Sequence, residues 1–149
     1  ELINACYRNY LRVYTTPHSQ LIQASEHPVT AANLLRENDW PGQAQTLIET
    51  PAWTTFANYF LLPHQQTTAV NFVYQLPSSI IQTANGQYLY HLTVYKQAGS
   101  KAEPITVQVQ LPPNTTFVEA EPPPVSVDGQ TITFNHTLDQ DVSLTVVFR

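Results

Sequence analysis

Histidines are the residues of this sequence most able to bind a metal ion or to transfer a proton near neutral pH. A metal-binding pair usually has i, i+4 spacing on a helix or i, i+2 spacing on a strand, because both spacings put two imidazoles on one side. No two of the five histidines have either spacing. They are His18, His27, His64, His91 and His136. We therefore predict no metal site and no metal cofactor.

Paired carboxylates are the second arrangement that could perform chemistry. Glu119 and Glu121 share one face of an extended segment, and Asp139 and Asp141 repeat that spacing. Such pairs can bind calcium or catalyse sugar hydrolysis. Neither pair has a ligand-rich loop around it, so we interpret both as solvated charges at strand edges.

Signatures of covalent catalysis and of phosphate binding are missing from the sequence. It has no G-x-S-x-G motif, and its four glycines, Gly42, Gly86, Gly99 and Gly129, are far apart. A nucleophile elbow or a phosphate-binding loop needs such glycines close together. We predict no catalytic residue, no cofactor and no enzymatic activity.

Aromatic side chains are candidates for ligand recognition instead. Trp40, Trp53 and some of the eight tyrosines could form a flat platform for a sugar ring, since aromatic faces offer large contact area at low entropic cost. Packing in a hydrophobic core is the alternative use of these rings. Trp40 and Trp53 are therefore candidate ligand-binding residues.

Alternation of apolar and polar residues indicates the elements that must position these side chains. Val70, Phe72, Tyr74 and Leu76 share one face of a half-buried strand. Residues 87–95 carry bulky side chains on both faces, which predicts a central strand. The 12 prolines and the low charged fraction of 11% favour strands over long helices.

These patterns predict an all-β fold: one domain over residues 1–149, a two-sheet antiparallel immunoglobulin-like β-sandwich of about eight to ten strands. Asp128-Gly129 predicts a two-residue type I′ hairpin, and Pro28 begins at most one short helix near residues 29–37. Further strands are expected at 9–15, 20–25, 55–62, 105–111, 117–120, 131–135 and 142–148.

Charge and hydropathy limit the partners. The net charge of −5 argues against nucleic acid and anionic membrane surfaces as partners. No run approaches the roughly 20 apolar residues that span a bilayer, so we expect no membrane insertion by this chain. The sequence begins without Met or a basic segment, which suggests a piece of a longer protein. The single Cys6 cannot form an internal disulfide.

Three phrases occur in order: Asn9-Tyr10-Leu11-Arg12-Val13-Tyr14; two strands at 56–62 and 70–76, each followed by proline; and residues 90–99 followed by 105–112. Together they resemble the C-terminal region of a bacterial family called domain of unknown function 4012. His18 and Ser19 stand where that family usually has a glycine. The resemblance implies a membrane anchor outside this chain, an extracytoplasmic location at the cell surface, and no particular activity.

Lys96 and Gln97 are the polar residues to which the resemblance draws attention, and they either cap backbone carbonyls or bind a partner. We expect a noncatalytic structural or interaction domain whose partner is protein or cell-wall polysaccharide. The alternatives are a carbohydrate-binding module that uses exposed aromatics, or an accessory part of a cell-envelope polysaccharide enzyme. Strand order and oligomeric state stay open.

Overall fold

The computed structural model describes residues 6–35 and 37–149, and within these ranges the protein is built almost entirely from antiparallel strands. The predicted all-β class is confirmed. The chain forms two compact units, unit 1 up to Pro77 and unit 2 from Ser78 to Arg149. One domain over 1–149 therefore stays a prediction. In the described ranges no helix is long and apolar enough to cross a membrane.

Unit 1 contains a three-stranded sheet and a two-stranded ribbon. The sheet has the order β1-β4-β3 and the ribbon pairs β2 with β5. The strands are β1 (Tyr7–Thr15), β2 (Gln20–Ala24), β3 (Gln45–Thr50), β4 (Trp53–Leu62) and β5 (Phe72–Gln75).

The ribbon and the segment after β2 cover one face of the β1-β4-β3 sheet. Phe56 of β4 contacts the Tyr74 ring with centroids 5.3 Å apart, and Phe60 contacts His27 at 5.4 Å. Between these contacts the Asn58 amide donates to the Ser25 carbonyl at 2.9 Å. Because side chains alternate along a strand, the other face of β4 carries Thr55, Ala57 and Tyr59.

Unit 2 is a sandwich of a four-stranded and a three-stranded sheet, with the orders β6-β7-β12-β9 and β10-β11-β8. One hydrophobic cluster joins Ile132 and Phe134 of β11 to Leu144 and Val146 of β12, so the two sheets share a core. The strands are β6 (Ile81–Ala84), β7 (Gln87–Val94), β8 (Glu103–Gln110), β9 (Phe117–Glu121), β10 (Ser126–Asp128), β11 (Thr131–Leu138) and β12 (Val142–Phe148).

The strand order of unit 2 resembles an immunoglobulin constant domain only in part. When the strands β6 to β12 are lettered A to G, the two sheets have the orders A-B-G-D and E-F-C. The immunoglobulin constant domain has A-B-E-D and C-F-G. The division into four and three strands is shared, but the fifth and seventh strands exchange sheets. The sandwich is thus observed, whereas the immunoglobulin-like assignment is not confirmed.

Two hairpin turns show how glycine positions set the register. The β6-β7 hairpin closes through Asn85-Gly86, with positive φ at both residues, as in a type I′ turn. The predicted hairpin between β10 and β11 is present, but Asp128 pairs with Thr131, so its loop is Gly129-Gln130. Only Gly129 has positive φ there, which fits a type II′ turn. The type I′ turn predicted on Asp128-Gly129 is therefore wrong by one position.

The helix expected near residues 29–37 is reduced to a three-residue 3₁₀ turn, Ala31–Asn33. The backbones of Val29 and Trp40 pair instead as an isolated antiparallel bridge. Because Val29 is extended in this bridge, it cannot form the first turn of a helix that starts after Pro28. Arg36 lies outside the described residues.

Candidate binding site

The face of the unit 1 sheet opposite the ribbon carries a groove lined by Tyr10, Leu34, Trp40, Gln45 and Tyr59, which we call the aromatic groove. Its volume is about 310 Å³. This value is at the lower end of the roughly 300–1,000 Å³ range of small-molecule pockets. The groove can therefore hold a small ligand or one segment of a longer one.

Strand register brings three of these residues together. Tyr10 of β1 pairs directly with Tyr59 of β4. Gln45 of β3 pairs with Ala57, two residues before Tyr59 on the same face of β4. The floor of the groove is thus built across all three strands of the sheet.

The connection from β2 to β3 supplies the wall with Leu34 and Trp40. Its base is closed by two backbone hydrogen bonds, Val29 N to Trp40 O at 2.9 Å and Trp40 N to Val29 O at 2.8 Å. Next to this base, the Asp39 carboxylate accepts a hydrogen bond from Ala31 N at 2.7 Å. A third tie comes from the sheet, because Arg8 of β1 donates to the Asn33 carbonyl at 3.1 Å.

Gly42 lies just after this wall at a point where the backbone approaches another segment closely. His27 N donates to Gly42 O at 3.0 Å. Gly42 has φ +84°, and a Cβ built there would overlap the backbone of His27 and Pro28. Only glycine fits this position, since positive φ and the contact both exclude a side chain.

A charged pair lies next to the groove. The Arg12 guanidinium is 5.1 Å from the centre of the Tyr10 ring and forms an ion pair with Glu49 at 3.1 Å. Because β4 lies between β1 and β3, this ion pair bridges the central strand. The hydrogen bond to Tyr14, with the Glu49 carboxylate nearby, raises the pKa of the Arg12 guanidinium, which stays charged. The two charges offset each other beside a neutral groove.

Three polar groups of the groove are available for a ligand. Within residues 6–35 and 37–149, no hydrogen bond of the protein engages the Tyr10 hydroxyl, the Tyr59 hydroxyl or the Gln45 amide. Each of these groups can both donate and accept. The groove therefore combines aromatic faces with hydrogen-bonding groups of both kinds, a combination suited to recognition.

Trp40 and Trp53, both ligand-binding candidates from the sequence, occupy different positions. Trp40 is half-buried in the wall of the aromatic groove. Trp53 is 43% exposed at the start of β4 and does not line the groove. Alternation places it on the same sheet face as Tyr59, roughly 20 Å along the strand at about 3.3 Å per residue.

Lys96 and Gln97, the other two candidates, lie in unit 2 after β7. The Lys96 ammonium donates to the Gln97 carbonyl at 2.8 Å and to the Ser100 carbonyl at 2.7 Å. The Lys96 backbone N–H donates to the Asp141 carboxylate at 2.8 Å. These contacts give Lys96 the capping geometry, in which it closes the turn over residues 97–100.

The titratable residues considered in the sequence are dispersed. His91 lies on β7 within 3.1 Å of the Thr145 hydroxyl on β12, and Glu119 and Glu121 are exposed on β9. In the described part of the chain, no group of three or more His, Cys, Asp or Glu residues could hold a metal ion. Cys6 is exposed.

Sequence reasoning did not single out Tyr10, Tyr59, Leu34 or Gln45. One signal was present: Tyr10, Arg12 and Tyr14 alternate with the apolar Leu11 and Val13, so one face of β1 is aromatic and charged. The meeting of Tyr10 with Tyr59 depends on long-range register, which no local pattern contains. No family model, no curated protein and no solved structure matches the chain.

Proposed function

We propose that this chain is a noncatalytic, extracytoplasmic interaction domain of a bacterial surface protein, and that unit 1 carries its binding site. The observation that carries the proposal is the aromatic groove, whose lining contains three aromatic rings and an amide. Among the described residues of the lining there is no carboxylate, imidazole or thiol. Stacking faces and neutral hydrogen-bonding groups bind a partner without making or breaking bonds.

The rigidity of the site supports the same role. Tyr10 and Tyr59 lie on paired strands, and the wall bearing Trp40 is fixed by backbone hydrogen bonds at its base. A site held in its binding geometry before the partner arrives loses less conformational entropy on binding. This arrangement favours a recognition surface over a spacer whose exposed face has no function.

Unit 2 has a separate role in this proposal, as the structural part of the domain. Its core residues are buried between two sheets, and Ile132 and Val146 have no exposed surface. We infer a variant of the immunoglobulin-like sandwich that spaces or supports unit 1. The location at the cell surface, with a membrane anchor outside this chain, follows the family resemblance of the three sequence phrases.

A binding assay with purified bacterial cell walls tests the interaction role. Wild-type protein is expected to co-sediment with the walls in a saturable manner, and Trp40→Ala is expected to reduce binding at least about tenfold. Tyr95→Ala is the matched control, because Tyr95 is 65% exposed but belongs to unit 2. Equal binding by wild type and Trp40→Ala would contradict the proposed site.

Antibody labelling of a tagged full-length protein on intact cells tests the location.

A further inference from the structure

We propose that the ligand of the aromatic groove is an uncharged saccharide, bound by stacking on Trp40 or the tyrosines and by hydrogen bonds to Gln45 and the tyrosine hydroxyls. This inference rests on the proposed function and names the chemical class of the partner. Three properties of the groove carry it: charge, hydrogen-bonding capacity and extent.

Charge is the first property. The five described residues of the lining carry no formal charge. The nearest described ion pair is already formed between Arg12 and Glu49, and Arg12 is also placed over the Tyr10 ring. None of the described lining residues is cationic, and the Arg8 guanidinium beside them already donates to the Asn33 carbonyl, so an anionic polymer such as a teichoic acid or a uronate chain would bury its charge among neutral groups, which is costly. A neutral ligand fits.

Hydrogen-bonding capacity is the second property. Sugar hydroxyls both donate and accept, and so do the Tyr10 hydroxyl, the Tyr59 hydroxyl and the Gln45 amide. A proline-rich peptide also binds aromatic grooves, but its backbone presents mainly carbonyl acceptors. Such a peptide would use the donors of the groove and leave the Gln45 acceptor to water. The balance of donors and acceptors therefore favours a polyhydroxylated ring.

The extent of the aromatic face is the third property. Tyr10 and Tyr14 lie on the same face of β1, and Tyr14 pairs with Thr55, which is two residues from Trp53 on β4. Tyr14 and Trp53 are 53% and 43% exposed. Aromatic side chains thus continue along the sheet beyond the groove. The groove holds part of a saccharide chain, and residues farther along the same chain can contact Tyr14 and Trp53.

Tryptophan fluorescence provides a direct test, because the chain contains only two tryptophans. Trp53→Phe leaves Trp40 as the single fluorophore in the groove, and Trp40→Phe leaves Trp53. Titration uses neutral oligosaccharides of the cello, xylo, manno and chito series. We expect a saturable change in the Trp53→Phe protein with at least one series, and a much smaller change in Trp40→Phe.

Calorimetric titration of the same oligosaccharide measures the contribution of each group. Each of two variants removes one hydrogen bond: Gln45→Ala keeps the fold, and Tyr59→Phe also keeps the aromatic ring. Each is expected to weaken binding roughly five- to tenfold. Tyr59→Ala is expected to weaken it further. Tyr95→Ala in unit 2 is expected to bind like wild type. Gln45 is exposed, so Gln45→Ala tests the site without risk to folding.

One further probe, a polyproline peptide, separates this inference from the proposed function. Polyproline peptide that binds in the groove, with no neutral oligosaccharide binding, would overturn the saccharide assignment and leave the interaction role intact. Saccharide binding that is unchanged in Gln45→Ala, Tyr59→Ala and Trp40→Phe would overturn the groove as its site. Absence of binding to oligosaccharides, peptide and cell walls would overturn both proposals.

Discussion

Tyr10 and Tyr59 are direct partners in the antiparallel register of β1 and β4, and both line the aromatic groove. Arg12, two residues along β1, lies over the Tyr10 ring at 5.1 Å. Tyr10 is thus confined by a cross-strand neighbour and by a cation on its own strand. These two contacts restrict the orientations of the Tyr10 ring.

Removal of the cation should loosen the Tyr10 ring. We expect Arg12→Gln to weaken binding of the groove ligand by roughly two- to fivefold, the size of an exposed cation–π contact. The fold should be retained, since the Arg12 side chain is at the surface. Titration of the ligand measures the change, and Lys101→Gln in unit 2 is the control. An affinity equal to that of wild type would show that Arg12 does not orient Tyr10.

Gly42 should be among the least replaceable residues of unit 1. Gly42→Ala combines positive φ with overlap against the His27 backbone, so we expect a loss of at least about 3 kcal/mol in the free energy of unfolding. Gly86→Ala is the matched control, because Gly86 has φ +75° and nothing lies within 4 Å of its Cβ position. That change should cost about 1 kcal/mol. Urea denaturation compares the two, and similar losses would contradict the role of the close approach.

Replacement of two buried threonines of unit 1 by valine should change the free energy of unfolding in opposite directions. The Thr55 hydroxyl is buried and has no hydrogen-bond partner among the described residues. Thr55→Val should therefore raise the free energy of unfolding by about 1 kcal/mol. The Thr15 hydroxyl donates to the Thr54 carbonyl at 2.9 Å, so Thr15→Val should lower it by about 1 kcal/mol. Chemical denaturation measures both, and a loss of stability in Thr55→Val would disprove the prediction.

Leu144 should contribute strongly to the stability of unit 2. It is 1% exposed in the core shared by the two sheets. Leu144→Ala is expected to cost about 2–5 kcal/mol, because it removes apolar contacts and leaves a cavity. Val127→Ala, at a residue 44% exposed on β10, should change stability by less than about 1 kcal/mol. The denaturant concentration at the midpoint of unfolding measures both changes. An equal decrease of this midpoint in the two variants would contradict the prediction.

The sequence predicted the strands whose residues alternate clearly, and it missed two that do not. From Ser143 to Phe148, β12 alternates exposed or half-buried residues with buried ones, and β7 lies between β6 and β12 as its two bulky faces predicted. β3 was missed because Gln45–Thr50 has little contrast between faces. β6 was missed although Asn85-Gly86 follows it, which is a strong local hairpin signal.

The candidate site was only partly predictable, for a physical reason. Trp40 was singled out because its residue type suits ligand binding. Tyr59 and Gln45 join it only through the register of three strands, and Leu34 only through the closed base of a loop. These are long-range contacts, and the local alternation of each strand is compatible with many registers.

The base of the groove wall is closed by backbone hydrogen bonds between Val29 and Trp40 and between His27 and Gly42. These bonds depend on no side chain between residues 30 and 39. The segment is therefore suited to engineered diversity: libraries can exchange its tip while keeping Asp39, Gly42 and the strand floor. A single scaffold could in this way be retargeted among ligands by loop grafting alone.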